Sequence, residues 1–189
     1  SATLNGEIQV PSELADGTYE IALQVMVDGV PVRTITIQVN LKRNLISNPG
    51  FEQDLSGWYI HPTYGGRDTT TGHSGSASMK AVASSYFRTD QQFVLEPGKP
   101  YTFSGWMKAE TAGTLAVEFT AYQDRGSGWV LIPGGSTGHT VSIGTDWTYV
   151  ELTYTRDPTK DYEFDMVNFW INDSTGTVWL DDVQLKLTE

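Results

Sequence analysis

The strongest constraint on the fold of this chain is a period-two alternation of apolar and polar residues. The alternation is clear in residues 101–109, 115–122 and 166–172, and turn-forming residues separate these segments from their neighbours. Side chains alternate between the two faces of a β-strand, whereas a helix repeats every 3.6 residues. With 19 glycines among 189 residues and 12% aromatic residues, the pattern predicts an all-β fold, arranged as a sandwich or a barrel.

The first 43 residues are set apart as a short group of predicted strands. Period-two runs at 19–27 and 35–41 flank Asp28-Gly29, and an Asp-Gly pair between two such runs is a strong hairpin signal. These strands are too few to close a sandwich. Residues 1–43 are therefore interpreted as part of a neighbouring immunoglobulin-like domain or as an extension, and residues 44–189 as a β-sandwich domain of their own.

The charge and the cysteine count exclude several classes of function. A net charge of −11 and a pI of about 4.6 disfavour a nucleic acid or an anionic membrane as the partner. The chain has no cysteine, which excludes disulfides, thiolate catalysis and cysteine-based zinc sites. No apolar run approaches the ~20 residues of a membrane-spanning helix. The sequence shows no signal peptide and begins at Ser1, which favours a processed or excised protein.

In three predicted strands, the face opposite the apolar face mixes large aromatic rings with hydrogen-bonding groups. Trp170 lies between Asn168 and Asn172 in such a pattern. A pyranose packs its C–H groups on an indole while its hydroxyls bond to polar neighbours, and burying half of one indole contributes roughly 2 kcal/mol. By contrast, Trp147 and Trp179 are interpreted as structural. The residues predicted to bind sugar on this basis are Arg88, Gln92, Trp106, Glu118, Tyr122, Asn168, Trp170 and Asn172, and Trp129, in a predicted Gly-rich loop, is predicted as a contact at the rim of the site.

Two carboxylates are placed beside residues that belong in the core. Glu52 follows the apolar Phe51 directly after the Pro49-Gly50 turn, and Asp181 shares the strand parity of Trp179. Burying a carboxylate without a partner is costly, so a partner is expected, and a metal ion is one such partner. The alternative is an ordinary turn with exposed acids.

Four stretches together resemble a known family. They are NLISNPGFE followed by LSGW (44–58), HSGSASMKA (73–81), PGKPYTFSGWMKA (97–109) and WLDDVQL (179–185). In this order and at these spacings they resemble the jelly-roll carbohydrate-binding modules of families 4, 9, 16 and 22. The resemblance covers roughly residues 44–187.

The resemblance implies a two-sheet β-jelly roll, appended to a secreted bacterial enzyme that degrades polysaccharides. It also implies a structural Ca²⁺, and calcium prefers carboxylate and carbonyl oxygens. In some of these modules the tryptophan after Leu-x-Gly and the next residue line the sugar site, which here are Trp58 and Tyr59. The implied calcium ligands are the Gly50 carbonyl, Glu52, Ser74 or a nearby carbonyl such as that of Ala77, and Asp181.

Three functions remain open from the sequence. The first is non-catalytic binding of a β-glucan, xylan or mannan, which would target an attached glycoside hydrolase. The second is a small glycosidase or lyase that uses a carboxylate pair, with Glu118 paired with Glu151 or Asp165. The third is a structural spacer or adhesion domain that binds no sugar.

Overall fold

The computed structural model describes residues 17–83, 85–124, 126, 128–171 and 175–188. These residues contain twelve β-strands and no α-helix. None of the described residues belongs to a helix that is long and apolar enough to cross a membrane. The chain divides into two compact units, Ser1–Arg43 and Asn44–Glu189.

The first unit contains an antiparallel hairpin of β1 (Gly17–Val27) and β2 (Val30–Leu41). Asp28 and Gly29 form its turn with φ of 50° and 77°, the left-handed conformation that an Asp-Gly turn between twisted strands requires. The hairpin predicted from the sequence is therefore confirmed. Apolar residues face each other on one side, in the pairs Tyr19–Val39, Ile21–Ile37 and Leu23–Ile35.

The second unit is a sandwich of two five-stranded antiparallel sheets, which confirms the predicted all-β jelly-roll class. The strands are β3 (Trp58–Ile60), β4 (Gly65–Asp68), β5 (Ser78–Ala81), β6 (Tyr86–Thr89), β7 (Pro100–Ala109), β8 (Gly113–Asp124), β9 (Trp129–Ile143), β10 (Thr148–Thr155), β11 (Phe164–Ile171) and β12 (Val178–Leu187). Sheet I has the order β10-β7-β12-β5-β4, and sheet II has the order β3-β6-β11-β8-β9.

The core lies between the two sheets and is rich in phenylalanine. Phe169 of β11 is fully buried and stacks on Phe87 with ring centroids 4.5 Å apart. Phe103 of sheet I packs against both Phe169 and Phe119. Burying each such ring contributes roughly 1.5–3 kcal/mol. The apolar faces predicted for β7, β8 and β11 are the faces that the structure buries.

Trp58 belongs to this core, which corrects its prediction as a sugar-binding residue. Its side chain is only 6% exposed, and its ring lies 5.0 Å from that of Phe51 and 6.2 Å from that of Phe169. The indole Nε1–H donates a hydrogen bond of 3.2 Å to the carbonyl of Asn48. Because side chains alternate along β3, an inward Trp58 turns its neighbour Tyr59 to the outer face.

A bulge in β12 overturns the parity argument for Trp179. The register with β7 shifts between Asp181 and Gln184, so the core-facing residues are Leu180 before the bulge and Val183 after it. Trp179 therefore lies on the outer face of sheet I, where its Nε1–H donates to the Asp68 carboxylate at 2.9 Å. Asp181 is fully buried, as the sequence suggested, but hydrogen bonds from a neighbouring loop surround it.

One carboxylate lies inside the sandwich. Asp165 is fully buried and accepts a hydrogen bond of 2.7 Å from the hydroxyl of Tyr154, while its Oδ2 has no hydrogen-bond partner. Burial raises the pKa of Asp165 to about 6 from its ordinary value of 3.8, although the attraction of Arg156 acts in the opposite direction. Arg156 itself donates to the carbonyl of Leu95 at 2.6 Å.

The raised pKa of Asp165 predicts an effect of pH on stability. A carboxyl whose pKa is higher in the folded state contributes stability below its unfolded pKa, and this contribution is lost as the pH rises through about 6. Asp165→Asn keeps an acceptor for Tyr154 and carries no charge. Relative to wild type, we expect the free energy of unfolding of the variant to rise by on the order of 1 kcal/mol between about pH 5 and about pH 8.

Equilibrium denaturation of the two proteins across this pH range checks the prediction. Because every other titrating group is shared, the difference between the proteins isolates Asp165. A constant difference in the free energy of unfolding over the whole range would contradict the assignment.

Candidate functional site

The outer face of sheet II brings together most of the residues predicted to bind sugar. Side chains at alternate positions of adjacent strands share one face of a sheet, and here aromatic rings and polar groups share the face that points away from the core. This face carries Tyr59 of β3, Tyr86 and Arg88 of β6, Asn168 and Trp170 of β11, Glu118, Thr120 and Tyr122 of β8, and Trp129 of β9.

Trp170 and Tyr86 form a stacked aromatic pair, called here the Trp170 platform. They are directly opposite in the pairing of β11 with β6, and their rings lie 5.0 Å apart at an angle of 29°. Trp170 is 47% exposed and Tyr86 is 38% exposed. The indole Nε1–H of Trp170 donates to the Glu118 carboxylate at 3.0 Å, which fixes the orientation of the ring. The strand parity of Tyr86 predicts the same outer face as Arg88, but Tyr86 was not among the residues predicted to bind sugar.

Polar groups occupy the centre of the face. Asn168 donates a hydrogen bond of 2.7 Å to Thr120, and both side chains are buried. Arg88 packs its guanidinium over the ring of Tyr59 at 5.0 Å, and its Nε–H is buried without a hydrogen-bond partner. Arg88 is the single lysine or arginine in the strands of sheet II. Burial raises the pKa of Tyr122, so its hydroxyl stays protonated and can donate a hydrogen bond.

A second aromatic group lies at the other end of the face and is called here the Trp129 platform. It consists of Trp129 and Tyr122, which both pack on Phe164 of β11. Tyr122 stacks on Phe164 at 5.5 Å and 17°, and Trp129 meets the same ring edge-on at 5.2 Å. Trp129 remains 46% exposed, whereas Phe164 is buried.

The structure separates Trp106 from this face and so corrects its grouping with Trp170. Trp106 lies on β7, on the outer face of sheet I, where its ring stacks on that of His73 at 4.0 Å and 12°. This contact holds the loop that contains His73 against the sheet. Of the other predicted residues, Gln92 is exposed beyond the end of β6, and Asn172 falls outside the described residues.

The carboxylate pairs considered for catalysis are not brought together. Glu118 is on the outer face of sheet II, whereas Glu151 is on β10 in sheet I and accepts a hydrogen bond from Tyr149 at 3.0 Å. Asp165 points into the sandwich, where Tyr154 binds it. Two carboxylates that lie on different sheets or on opposite faces cannot flank one glycosidic bond.

The residues implied as calcium ligands meet around the loop of residues 71–77. Asp181 accepts hydrogen bonds from the backbone N–H groups of His73 at 2.7 Å and Ser74 at 3.2 Å. Glu52 accepts one from the N–H of Ala77 at 3.0 Å, and this bond lowers the pKa of Glu52. A Cβ added at Gly50 would lie 3.7 Å from the Asp181 carboxylate.

The oxygen chemistry of this cluster fits a calcium ion. Burial, together with the charge of Asp182, raises the pKa of Asp181. A cation close to this carboxylate would therefore stabilise its ionised form. The Asp182 carboxylate in turn accepts from the Ser74 hydroxyl at 2.6 Å. Carboxylate, hydroxyl and carbonyl oxygens are the ligands that calcium prefers. Among the residues that the structure describes, however, no group of three or more His, Cys, Asp or Glu side chains is arranged to hold a metal ion.

The comparison with protein families identifies one match. A family model described as "Carbohydrate binding domain" (CBM_4_9) matches residues 43–174, which contain nine of the twelve strands in the described part of the chain, β3 to β11. No curated protein matches the sequence.

Several solved structures share the fold at low sequence identity. A "Family 16 Carbohydrate Binding Module-2" has a TM-score of 0.55 and 19% identity, over 75% of this chain and 99% of that chain. A TmCBM61 in complex with β-1,4-galactotriose has a TM-score of 0.53 and 18% identity, over 77% and 99%. The CBM22-1–GH10 modules of a Clostridium thermocellum xylanase, complexed with xylohexaose, have a TM-score of 0.52 and 20% identity, over 75% and 28%.

Proposed function

Because the chain belongs to the carbohydrate-binding domain family, a family of non-catalytic binding modules, we propose that the outer face of sheet II binds a polysaccharide. The observation that carries the proposal is the Trp170 platform. Two aromatic rings are stacked, exposed and held in place beside the carboxylate of Glu118. An exposed indole with fixed orientation offers a flat surface for a sugar ring, and the adjacent polar groups offer partners for its hydroxyls.

The proposed ligand class is a neutral, β-linked polysaccharide such as a β-glucan, xylan, mannan or galactan. The net charge of −11 repels anionic polymers at long range. The Arg88 guanidinium supplies donors and the Glu118 carboxylate supplies acceptors, which suits hydroxyl groups. Similar folds bind a xylohexaose and a β-1,4-galactotriose in the structures compared above.

Affinity electrophoresis of the pure protein in gels that contain each polymer tests this function. We expect retardation by at least one neutral β-linked polysaccharide and no release of reducing ends from any of them. Migration that no polymer slows would favour the alternative of a spacer or adhesion domain. Release of reducing ends by the pure protein would favour an enzyme.

We further propose that the module serves a catalytic domain of the same parent protein, secreted by a bacterium. One structural neighbour has a binding module joined to a GH10 module. A weak binding site becomes useful in such a fusion, because it raises the effective concentration of the attached enzyme on its polymer.

A bound calcium ion is proposed to stabilise the cluster of Gly50, Glu52, Ser74, Ala77 and Asp181. The ion would supply positive charge between carboxylates and so hold the 71–77 loop against β12, away from the sugar-binding face. A ligand that binds only the folded state adds about 2.7 kcal/mol at 100 times its Kd, which corresponds to roughly 5 to 10 °C in Tm for a domain of this size.

We therefore expect a chelator to lower the Tm by this amount while leaving the affinity for polysaccharide unchanged at a temperature where the protein stays folded. Differential scanning calorimetry with and without calcium measures the shift. Glu52→Gln replaces an exposed carboxylate of the cluster with an uncharged amide. The change in Tm that the chelator causes should therefore be smaller in this variant. A chelator that abolishes sugar binding without changing the Tm would place the ion in the sugar site instead.

A further inference from the structure

One edge of sheet II is formed by β9, the last strand in the order of that sheet. One side of β9 pairs with β8, in an unbroken register from Ser142 opposite Thr114 to Ser136 opposite Thr120. The segment 136–142 is called here the β9 edge. Apart from the pairing with β8, it makes no hydrogen bond to any residue in the described part of the chain. The backbone N–H and C=O groups that point away from β8 can therefore pair with another strand.

The other three edges of the sandwich carry features that discourage pairing with another chain. β3 is three residues long, β4 is four residues long and contains Arg67 and Asp68, and β10 contains Glu151. Short edge strands and charged side chains are devices by which proteins protect the edges of their sheets. β9 has fifteen residues and no Asp, Glu, Lys or Arg among them. Its single proline, Pro133, precedes the β9 edge, where the register with β8 shifts.

The side chains of the β9 edge leave room for a second strand. On the outer face they are small and exposed, namely Ser136, Gly138, Thr140 and Ser142. A Cβ added at Gly138 would meet no atom within 4 Å, so the space above the middle of the edge is open. A foreign strand is usually selected by side-chain pockets beside the edge. Small side chains form no such pockets, whereas the pairing of two identical edges requires only the backbone.

We infer that the β9 edge is an interface for a second copy of this chain, which pairs its own β9 in antiparallel orientation about a two-fold axis. Such an edge is self-complementary, because each outward N–H meets a C=O of the same segment in the partner. Residues opposite each other in a ladder point to one face, so the pairing joins even-numbered residues to even-numbered residues. The two five-stranded sheets then form one continuous sheet.

The dimer has a consequence for binding that rests on the proposed function. The outer faces of sheet II in the two copies lie side by side on the same side of the joined sheet. If that face binds polysaccharide, one polymer can contact both copies, and the second contact is made at a high effective concentration.

The paired segment is short, so the dimer is weak. Seven residues of a strand span about 20 Å, whereas a standard interface uses about 20–30 residues on each side. The net charge of −11 on each copy opposes association until salt screens it. We therefore expect the dimer to form at about 0.1–1 mM protein. Added salt should favour it, which is the reverse of an interface held by ion pairs.

Sedimentation velocity of the full chain without sugar, from about 10 µM to about 1 mM, tests the inference. The sedimentation coefficient of the wild type should rise with concentration. Thr140→Lys should move this rise to concentrations at least about tenfold higher, because the two added charges meet close to the two-fold axis. Thr63→Lys adds the same charge to an exposed position after β3, at the opposite edge of sheet II, and should associate like wild type.

Amide hydrogen exchange of the wild type at the two ends of this concentration range needs no substitution. The amides of the β9 edge that point away from β8 should exchange more slowly at the high concentration, while those of β4 stay unchanged. A wild type that remains monomeric throughout would overturn the inference. Association that Thr140→Lys leaves unchanged would also overturn it and would point to another surface, such as the apolar side of the β1–β2 hairpin. Neither result bears on the proposed function, because no sugar takes part.

Discussion

Trp170→Ala is expected to weaken polysaccharide binding about 30-fold, because the stacking of one sugar on this ring contributes roughly 2 kcal/mol. The substitution also removes the support of Tyr86 and frees the Glu118 carboxylate from its hydrogen bond. Trp170 is 47% exposed, so the stability of the fold should change little. Calorimetric titration with a polymer that binds the wild type measures the effect.

Tyr149→Ala removes an equally exposed ring from the other sheet and serves as the control for this prediction. Its affinity should equal that of wild type. If Trp170→Ala bound the polymer as tightly as wild type while remaining folded, the Trp170 platform would not be the sugar site. An equal loss in both variants would point to a general effect of aromatic removal.

Trp58→Ala is expected to destabilise the fold by ~3–5 kcal/mol, since it deletes a large buried ring and leaves a cavity among aromatic neighbours. The ring packs between Phe51 and Phe169, and its N–H is satisfied by the Asn48 carbonyl. Equilibrium denaturation measures the loss. Trp58→Phe, which keeps an aromatic ring in the same place, should lose less.

The folded fraction of Trp58→Phe should bind polysaccharide with wild-type affinity, because Trp58 does not reach the outer face. Weakened binding together with unchanged stability would show that this ring contacts the ligand after all. The two tryptophan predictions are thus opposite in kind, with Trp170 affecting binding and Trp58 affecting stability.

The burial of individual strand faces was predictable from the sequence because alternation is a local property. Phe103, Phe119 and Phe169 each occupy the apolar parity of their own strand, and each is buried. The Asp28-Gly29 hairpin was predictable for the same reason, since its turn chemistry is contained in two residues.

The partition of strands between sheets was not predictable, because it depends on pairing between distant segments. Trp106 and Trp170 have the same parity relative to the apolar faces of their strands, yet β7 joins sheet I and β11 joins sheet II. Sequence reasoning therefore placed both in one binding set, whereas the two rings lie on different sheets. Only the pairing of β11 with β6 shows that Tyr86 is the partner of Trp170.

Irregularities within a strand were also beyond the reach of periodicity. The bulge in β12 lies between Asp181 and Gln184, so residues before and after it face the core with opposite parity. Trp179, which precedes the bulge, therefore lies on the outer face. On β11, Met166 and Asn168 have outer-face parity but are buried. Neighbouring side chains on the same face cover them, and that coverage depends on which strands are adjacent.

The most direct test of the central claim is an NMR titration that follows the indole N–H signals of the six tryptophans as a xylo-oligosaccharide or β-1,4-galacto-oligosaccharide is added. The signals of Trp170 and Trp129 should move and saturate together, while those of Trp58, Trp106, Trp147 and Trp179 stay in place. Movement confined to tryptophans of sheet I, or no movement of Trp170 with any of these sugars, would contradict the account.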